Sequence, residues 1–266
     1  MTRLGVVSDV HANLHALDAA LAFLDTQQLD GYICAGDLVG YGPFPNECVR
    51  RVLDLPVTCV AGNHDLIALG RLSDERCIPL ARDSLRWTRA ALDDDARAML
   101  ADLPLAARCD GIAIHHGSLA DPQEYVLTEE RAREDLRDLA MSAQPADVLI
   151  LGHTHRAMAV ATRRGTLLRE STGTVALQCD EPIVLNPGAV GQSRSRDPRA
   201  RVAVLDLTAR EATFHALAYD VAGCRRALRE RGLPETSCHL PRSRWAEMVG
   251  AVKRHLRRAR PAPSRR

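Results

Sequence analysis

The chain has 266 residues, is 46% hydrophobic and 26% charged by residue type, and carries a formal net charge of +1, a composition that excludes disordered and collagen-like chains. Its apolar stretches, such as residues 148–151, fall far short of the ~18 residues of a spanning helix, and residues 1–9 lack the apolar run of a signal peptide. The expected location is therefore the cytoplasm, with no membrane partner.

Residues 4–7 form a first short apolar run, which stops at Ser-Asp-Val-His-Ala-Asn. Leu14, Leu17, Leu21 and Leu24 follow at helical spacing. A second run, 32–35, stops at Gly-Asp-Leu-Val-Gly-Tyr-Gly and leads into a helix over 44–53; a third, 57–60, stops at Ala-Gly-Asn-His-Asp. Helical patterns over 79–91 and 93–102 precede the run 112–114, which ends in His-His-Gly-Ser. After a helix over 128–141 comes the run 148–151, ending in Gly-His-Thr-His.

Beyond Gly152 the texture changes to short strand-like pieces at 158–162, 166–169, 174–178, 201–207 and 211–217. Among them lies the run 183–185 before Asn-Pro-Gly-Ala-Val-Gly, and a last helix covers 221–231. No Pro/Ser/Gly-rich linker divides the chain, so the expected class is α/β, with two mixed sheets face to face and helices outside, in one domain spanning 1–241. Eight scattered cysteines with no C-x-x-C pair signal neither a zinc knuckle nor a disulfide framework and read as small buried hydrophobes.

Residues 242–266 form a partly helical basic tail with nine Lys or Arg against one Glu, a net +8 that leaves −7 on the preceding body. The tail reads as solvated; its alternative is contact with nucleic acid, anionic lipid or an acidic partner. Aromatics at 3% are too few for single-strand stacking platforms, so a nucleic-acid partner is not indicated.

The chemically capable residues gather at the ends of the apolar runs: Asp9, His11, Asn13, Asp37, Asn63, His64, Asp65, His115, His116, His153, His155 and Asn186. In α/β proteins ligands sit beyond the carboxyl ends of strands. Asp9 with His11, and His153 with His155, are two apart, a spacing that puts both side chains on one side of an extended segment. Mixed imidazole and oxygen donors suit Mn, Fe, Co, Ni or Zn. Seven donors (Asp9, His11, Asp37, Asn63, His116, His153, His155) are too many for one open catalytic ion; two ions with a shared Asp take about four each. The excess positive charge favours a phosphoester substrate.

These residues resemble the calcineurin-like metallophosphoesterase superfamily, in particular its small bacterial and archaeal phosphodiesterase branch. The family's ordered motifs D-x-H, G-D, G-N-H-[DE], H and G-H-x-H stand here as Asp9-Val-His11, Gly36-Asp37, Gly62-Asn63-His64-Asp65, His116-Gly117 and Gly152-His153-Thr154-His155. The resemblance implies a four-layer αββα sandwich and a dinuclear metal-dependent hydrolase of phosphodiesters or phosphomonoesters. It implies that Asp9, His11, Asp37 and His155 hold one ion and that Asp37, Asn63, His116 and His153 hold the other, with manganese the first expectation. Hydroxide between the ions would be the nucleophile. His64 would contact substrate phosphate and protonate the leaving group, with Asp65 orienting its ring. The stretch Gly36-Asp37-Leu38-Val39-Gly40-Tyr41-Gly42 departs from the G-D-x-V-D-R-G of protein Ser/Thr phosphatases, which speaks against that activity. Alternatives are a dinucleoside-polyphosphate hydrolase, a nuclease, or an interaction module working through the tail.

Several residues have a second reading. Asp65 is either a catalytic support or the cap of a short helix beginning near Leu66. Asn13 either reaches substrate phosphate or ties its own loop. His115 packs beside the site, while His15, His215, His239 and His255 are structural. Tyr41, Tyr125, Gln192 and Arg194 are pocket candidates by loop position.

Overall fold

The computed structural model describes residues 3–195 and 197–239. The expected tail at 242–266, and His255 within it, lie outside the described residues.

The first half alternates strands and helices in the expected order: β1 (Arg3–Val7), α1 (Leu14–Leu24), β2 (Gly31–Cys34), α2 (Pro45–Leu53), β3 (Val57–Cys59), α3 (Asn63–Ala68), α4 (Pro79–Ala91) and α5 (Asp94–Ala101). Then come β4 (Ala106–Cys109), β5 (Ile112–His115), α6 (Glu129–Met141), β6 (Val148–Ile150), β7 (Ala157–Ala161) and β8 (Gly165–Arg169). The remainder is β9 (Gly173–Ala176), β10 (Ile183–Pro187), β11 (Ala200–Asp206), β12 (Glu211–Leu217) and α7 (Val221–Glu230).

The strands make two mixed six-stranded sheets, ordered β3-β2-β1-β11-β12-β9 and β4-β5-β6-β10-β7-β8. β1, β2 and β3 run parallel in the first, as do β5, β6 and β10 in the second. The apolar runs are continuous because these strands are covered on both faces. Leu4, Val6 and Ile33 from the first sheet, with Val60 just past β3, join Ile112, Ile114, Ile150 and Leu185 from the second in one buried cluster between the sheets. The alternate residues point outward: Val7, Cys34, Val202 and Val204 pack under Leu17, Leu21 and Leu24 of α1 and Val49 and Val52 of α2. On the far side Ala113, Leu149, Val160 and Val184 meet Leu136 and Leu139 of α6. The result is helix, sheet, sheet, helix, the expected four layers.

Three details differ from the sequence reading. β4, with the sequence Ala-Ala-Arg-Cys, has no apolar pattern and forms an edge strand through its antiparallel ladder to β5. α3 begins at Asn63, three residues before Leu66. Cys34, Cys48, Cys59, Cys224 and Cys238 are buried as expected, but Cys77 and Cys109 are only half-buried and Cys179 is exposed.

Candidate metal centre

The carboxyl ends of β1, β2 and β3 meet those of β5 and β6 at one edge of the sandwich, and the loops leaving them are held by unusual backbone conformations. Asp9, His11, Asp37, His153 and His155 all have left-handed φ, at 54°, 48°, 57°, 62° and 58°. Each such non-glycine residue costs roughly 1–3 kcal/mol and persists only where its surroundings enforce it. The i, i+2 pairs converge through these turns, not through the side-chain alternation of an extended strand. Close backbone approach completes the loops: a Cβ on Gly62 would collide with the Asp37 carboxylate, and one on Gly152 with the Ser8 hydroxyl.

Two groups of buried donors result, Asp9 with His11, Asp37 and His155, and Asp37 with His116 and His153, the ligand atoms of each lying within 4.8 Å of one another. Asp37 belongs to both. Its Oδ2 is 3.6 Å from His11 Nε2 and 3.2 Å from His116 Nε2. Asp9 Oδ1 lies 3.2 Å from His155 Nε2 and 3.9 Å from His11 Nε2. Asn63 joins the second group, with Oδ1 3.1 Å from His116 Nε2.

Hydrogen bonds on the far side of each ring decide what its inner nitrogen offers. His11, His116 and His155 each donate Nδ1–H to a backbone carbonyl, of Val39 at 3.0 Å, Ala35 at 2.6 Å and Gln192 at 2.8 Å. The Nε2 atoms of His11 and His155 therefore present bare lone pairs to the cluster, while that of His116 faces Asp37 Oδ2. Asp9 is held by Ser8 Oγ–H at 2.7 Å and the His153 amide at 3.1 Å, and Asp37 Oδ1 accepts the His64 amide at 2.8 Å. Both ring nitrogens of His153 are buried with no hydrogen-bond partner. Imidazole lone pairs and carboxylate oxygens converging in a buried cluster are the donor set of a divalent ion, and the residues fit one.

The electrostatics carry the same message. Burial drives the His11, His153 and His155 imidazoles well below their usual range, so these rings are neutral. Burial also opposes charge on His116, but Asp37 beside it wins and lifts that ring to about 9. Burial would raise Asp37 too, yet His116 holds its carboxyl well below the carboxylate range. The cluster thus demands a cation, and a proton on His116 meets that demand when no metal does.

The other predicted residues have definite places. His64 is buried, with its ring centroid 4.8 Å from those of His11 and Tyr41, and its Nδ1 has no hydrogen-bond partner. With Asn63, His153, Tyr41 and Tyr125 it lines a cleft of about 420 Å³. Asp65 does not orient that ring: its carboxylate accepts the backbone N–H groups of Asp37, Val39 and Gly62 at 2.9, 3.1 and 2.9 Å. It caps α3 and ties the β2 loop to the β3 loop. Asn13 is likewise committed elsewhere, with Oδ1 accepting Ala16 N–H as the cap of α1 and Nδ2 donating to Gly191 O and Tyr219 Oη. Of its two readings, these contacts support the loop tie.

Of the adjacent histidines, His116 enters the cluster and His115 does not. His15, His215 and His239 lie against Phe44, Phe23 and Tyr219. Asn186 braces the Gly-His-Thr-His turn through Gly152 O and Thr154 Oγ1. Sequence reasoning passed over Ser8, for which an isolated serine gives no signal, and the carbonyls of Ala35 and Val39, which no side-chain pattern encodes.

The calcineurin-like phosphoesterase superfamily domain matches residues 2–210. The chain belongs to that superfamily. It is a hydrolase acting on phosphoric ester bonds. A metallophosphoesterase from Sphaerobacter thermophilus is similar in structure, with a TM-score of 0.77 and 34% identity over 93% of this chain and 99% of that one. The hypothetical protein PH1004 of Pyrococcus horikoshii OT3 shares the phosphoesterase fold, with a TM-score of 0.74 and 19% identity over 90% of this chain and 96% of that one. The uncharacterized protein MJ0912 of Methanocaldococcus jannaschii is 28% identical over 236 residues, 87% of this chain and 94% of its own. Among the described residues of this calcineurin-like phosphoesterase, no helix is long and apolar enough to cross a membrane.

Proposed function

We propose that the protein is a dinuclear metal-dependent phosphodiesterase acting on a small phosphoester or nucleotide. Asp9, His11, Asp37 and His155 hold one divalent transition ion, and Asp37, Asn63, His116 and His153 hold the second. Manganese is the first candidate, with Fe, Co, Ni and Zn alternatives of the same donor chemistry. The observation that carries the reading is the shared Asp37, which belongs to both buried donor groups. Such a pair of ions acidifies water and offsets the charge of a phosphoryl group.

The chain's own residues supply the rest. Carbonyls of Val39 and Gln192 fix His11 and His155 in the tautomer that keeps Nε2 free, and the Ala35 carbonyl orients the His116 ring, so the donors are aimed before any ion arrives. His64 reaches the cleft without belonging to either donor group, which suits it to contact a phosphate oxygen and hand a proton to the departing alcohol. Asp65 positions this machinery through the loop backbone. The alternative of a non-catalytic interaction module is disfavoured because all seven donors are present and buried.

Metal analysis and hydrolysis together test the reading. Protein stripped with chelator and reloaded with manganese is expected to bind two ions and cleave bis(p-nitrophenyl) phosphate. A stoichiometry of one, or a loaded protein that cleaves no phosphoester, overturns it.

A further inference from the structure

A second cleft, of about 410 Å³, opens on the other side of His155, and its walls are strongly cationic. Arg156, Arg194, Arg199 and Arg201 line it, together with the single carboxylate Glu170. Glu170 pairs with Arg156 at 2.8 Å. Asp197 holds Arg199 through a fork of contacts, the shortest 2.7 Å, and Arg201 at 2.8 Å. Among the described residues that line the cleft, four are arginines and one is a carboxylate. Burial disfavours the charge of Arg201, a cost that a bound anion would offset.

Arg194 ties this cleft to the metal centre. It is 5% exposed, donates to the His153 carbonyl at 3.1 Å and to Tyr125 Oη at 3.3 Å, and lines the cleft beside His155. Tyr125 stacks on the His153 ring at 4.1 Å and walls the first cleft. The two clefts therefore flank one centre, with Arg194 reaching from one toward the other. Guanidiniums arranged this way suit the fork geometry of phosphate oxygens.

We propose that the arginine-lined cleft binds a second phosphate of the substrate while the scissile phosphoester lies at the metal centre. The substrate class is then a phosphoester carrying another phosphate, such as an ester of a nucleoside bisphosphate. This deepens the phosphoesterase reading and rests on it.

The test compares two p-nitrophenyl esters of thymidine 5′-phosphate, one with a free 3′-hydroxyl and one with a 3′-phosphate, on the manganese-loaded protein. The 3′-phosphorylated ester is expected to show a KM about tenfold lower. Arg199→Glu and, separately, Arg156→Gln are expected to erase that preference while leaving kcat/KM for the 3′-hydroxyl ester within about threefold. Equal KM values in the wild-type protein, or a preference that survives both variants, overturn the proposal. A second measurement does not use activity: calorimetry of the chelator-treated full chain with inorganic pyrophosphate. Saturable binding that weakens about tenfold in both variants supports the cleft; absent binding, or binding indifferent to the variants, overturns it. Should neither ester be cleaved, the phosphoesterase reading fails and calorimetry still decides the cleft.

Discussion

His11 Nε2 lies 3.0 Å from His155 Nε2 although 144 residues separate them, and each ring gives its other N–H to a backbone carbonyl. Two neutral imidazoles so arranged point lone pairs at each other, which is unfavourable unless a cation lies between or beside them. The ion that relieves this contact is also expected to stabilise the fold. At a free concentration one hundred times its dissociation constant, an ion adds about 2.7 kcal/mol. Chelation should lower the melting temperature by several degrees and manganese should restore it, as read by calorimetry; a midpoint indifferent to chelator would refute the site.

Asp37 is the residue whose loss should be felt by both ions. Asp37→Ala is expected to reduce metal content from two to below one per chain and kcat by about a thousandfold or more, with an unchanged circular dichroism spectrum. Retention of two ions would remove Asp37 from its bridging place.

His64 should separate chemistry from metal binding. His64→Ala is expected to keep both ions yet lower kcat by about a hundredfold to ten-thousandfold, the loss being smallest for esters with good leaving groups such as p-nitrophenol. Loss of an ion in this variant would place His64 among the ligands instead.

Asn13 offers the reverse contrast. Because its side chain caps α1 and bonds Gly191 and Tyr219, Asn13→Ala is expected to cost about 1–2 kcal/mol of stability with kcat/KM changed only a few-fold. Denaturant titration and steady-state kinetics check both; a large rise in KM at unchanged stability would return Asn13 to the substrate.

Asp135, on α6, gives a pH dependence away from the centre. Burial raises its carboxyl to about 6 although Arg131 opposes the shift, and its Oδ2 has no hydrogen-bond partner. A carboxyl raised from 3.8 binds its proton more tightly folded than unfolded, so its contribution is most favourable below pH 3.8. That contribution is lost as the pH rises towards 6. Asp135→Asn should therefore compare better with the wild-type protein at pH 8 than at pH 4.5, by denaturant titration at both. An equal difference at the two pH values would contradict the shift.

The sequence made the fold legible through six apolar runs ending in polar clusters, because strands covered on both faces leave no alternation to confuse the reading. The candidate donors it named at the strand ends lie together in the fold, since the chemistry there needs side chains. It left Asn13 and Asp65 each with two readings because both lie beside the donors in the chain, and only the fold shows that their side chains bond to backbone groups of the neighbouring loops. β4 was invisible because an edge strand can be recruited by its neighbour's ladder without an apolar pattern of its own. Arg194 could be named only by loop position, since the contact with His153 depends on how β10 and its following segment return to the centre.

The donors divide between the two sheets: Asp9, His11, Asp37 and Asn63 follow strands of one, while His116, His153 and His155 follow strands of the other. A divalent ion held by donors from both sheets would act as a rivet through the seam of the sandwich. Any sliding of one layer over its mate would pull the donors apart, so the aliphatic contacts of Val6, Ile33, Ile114 and Ile150 hold the donor spacing from a distance. Repacking that interior is a route to retuning turnover without altering a single ligand.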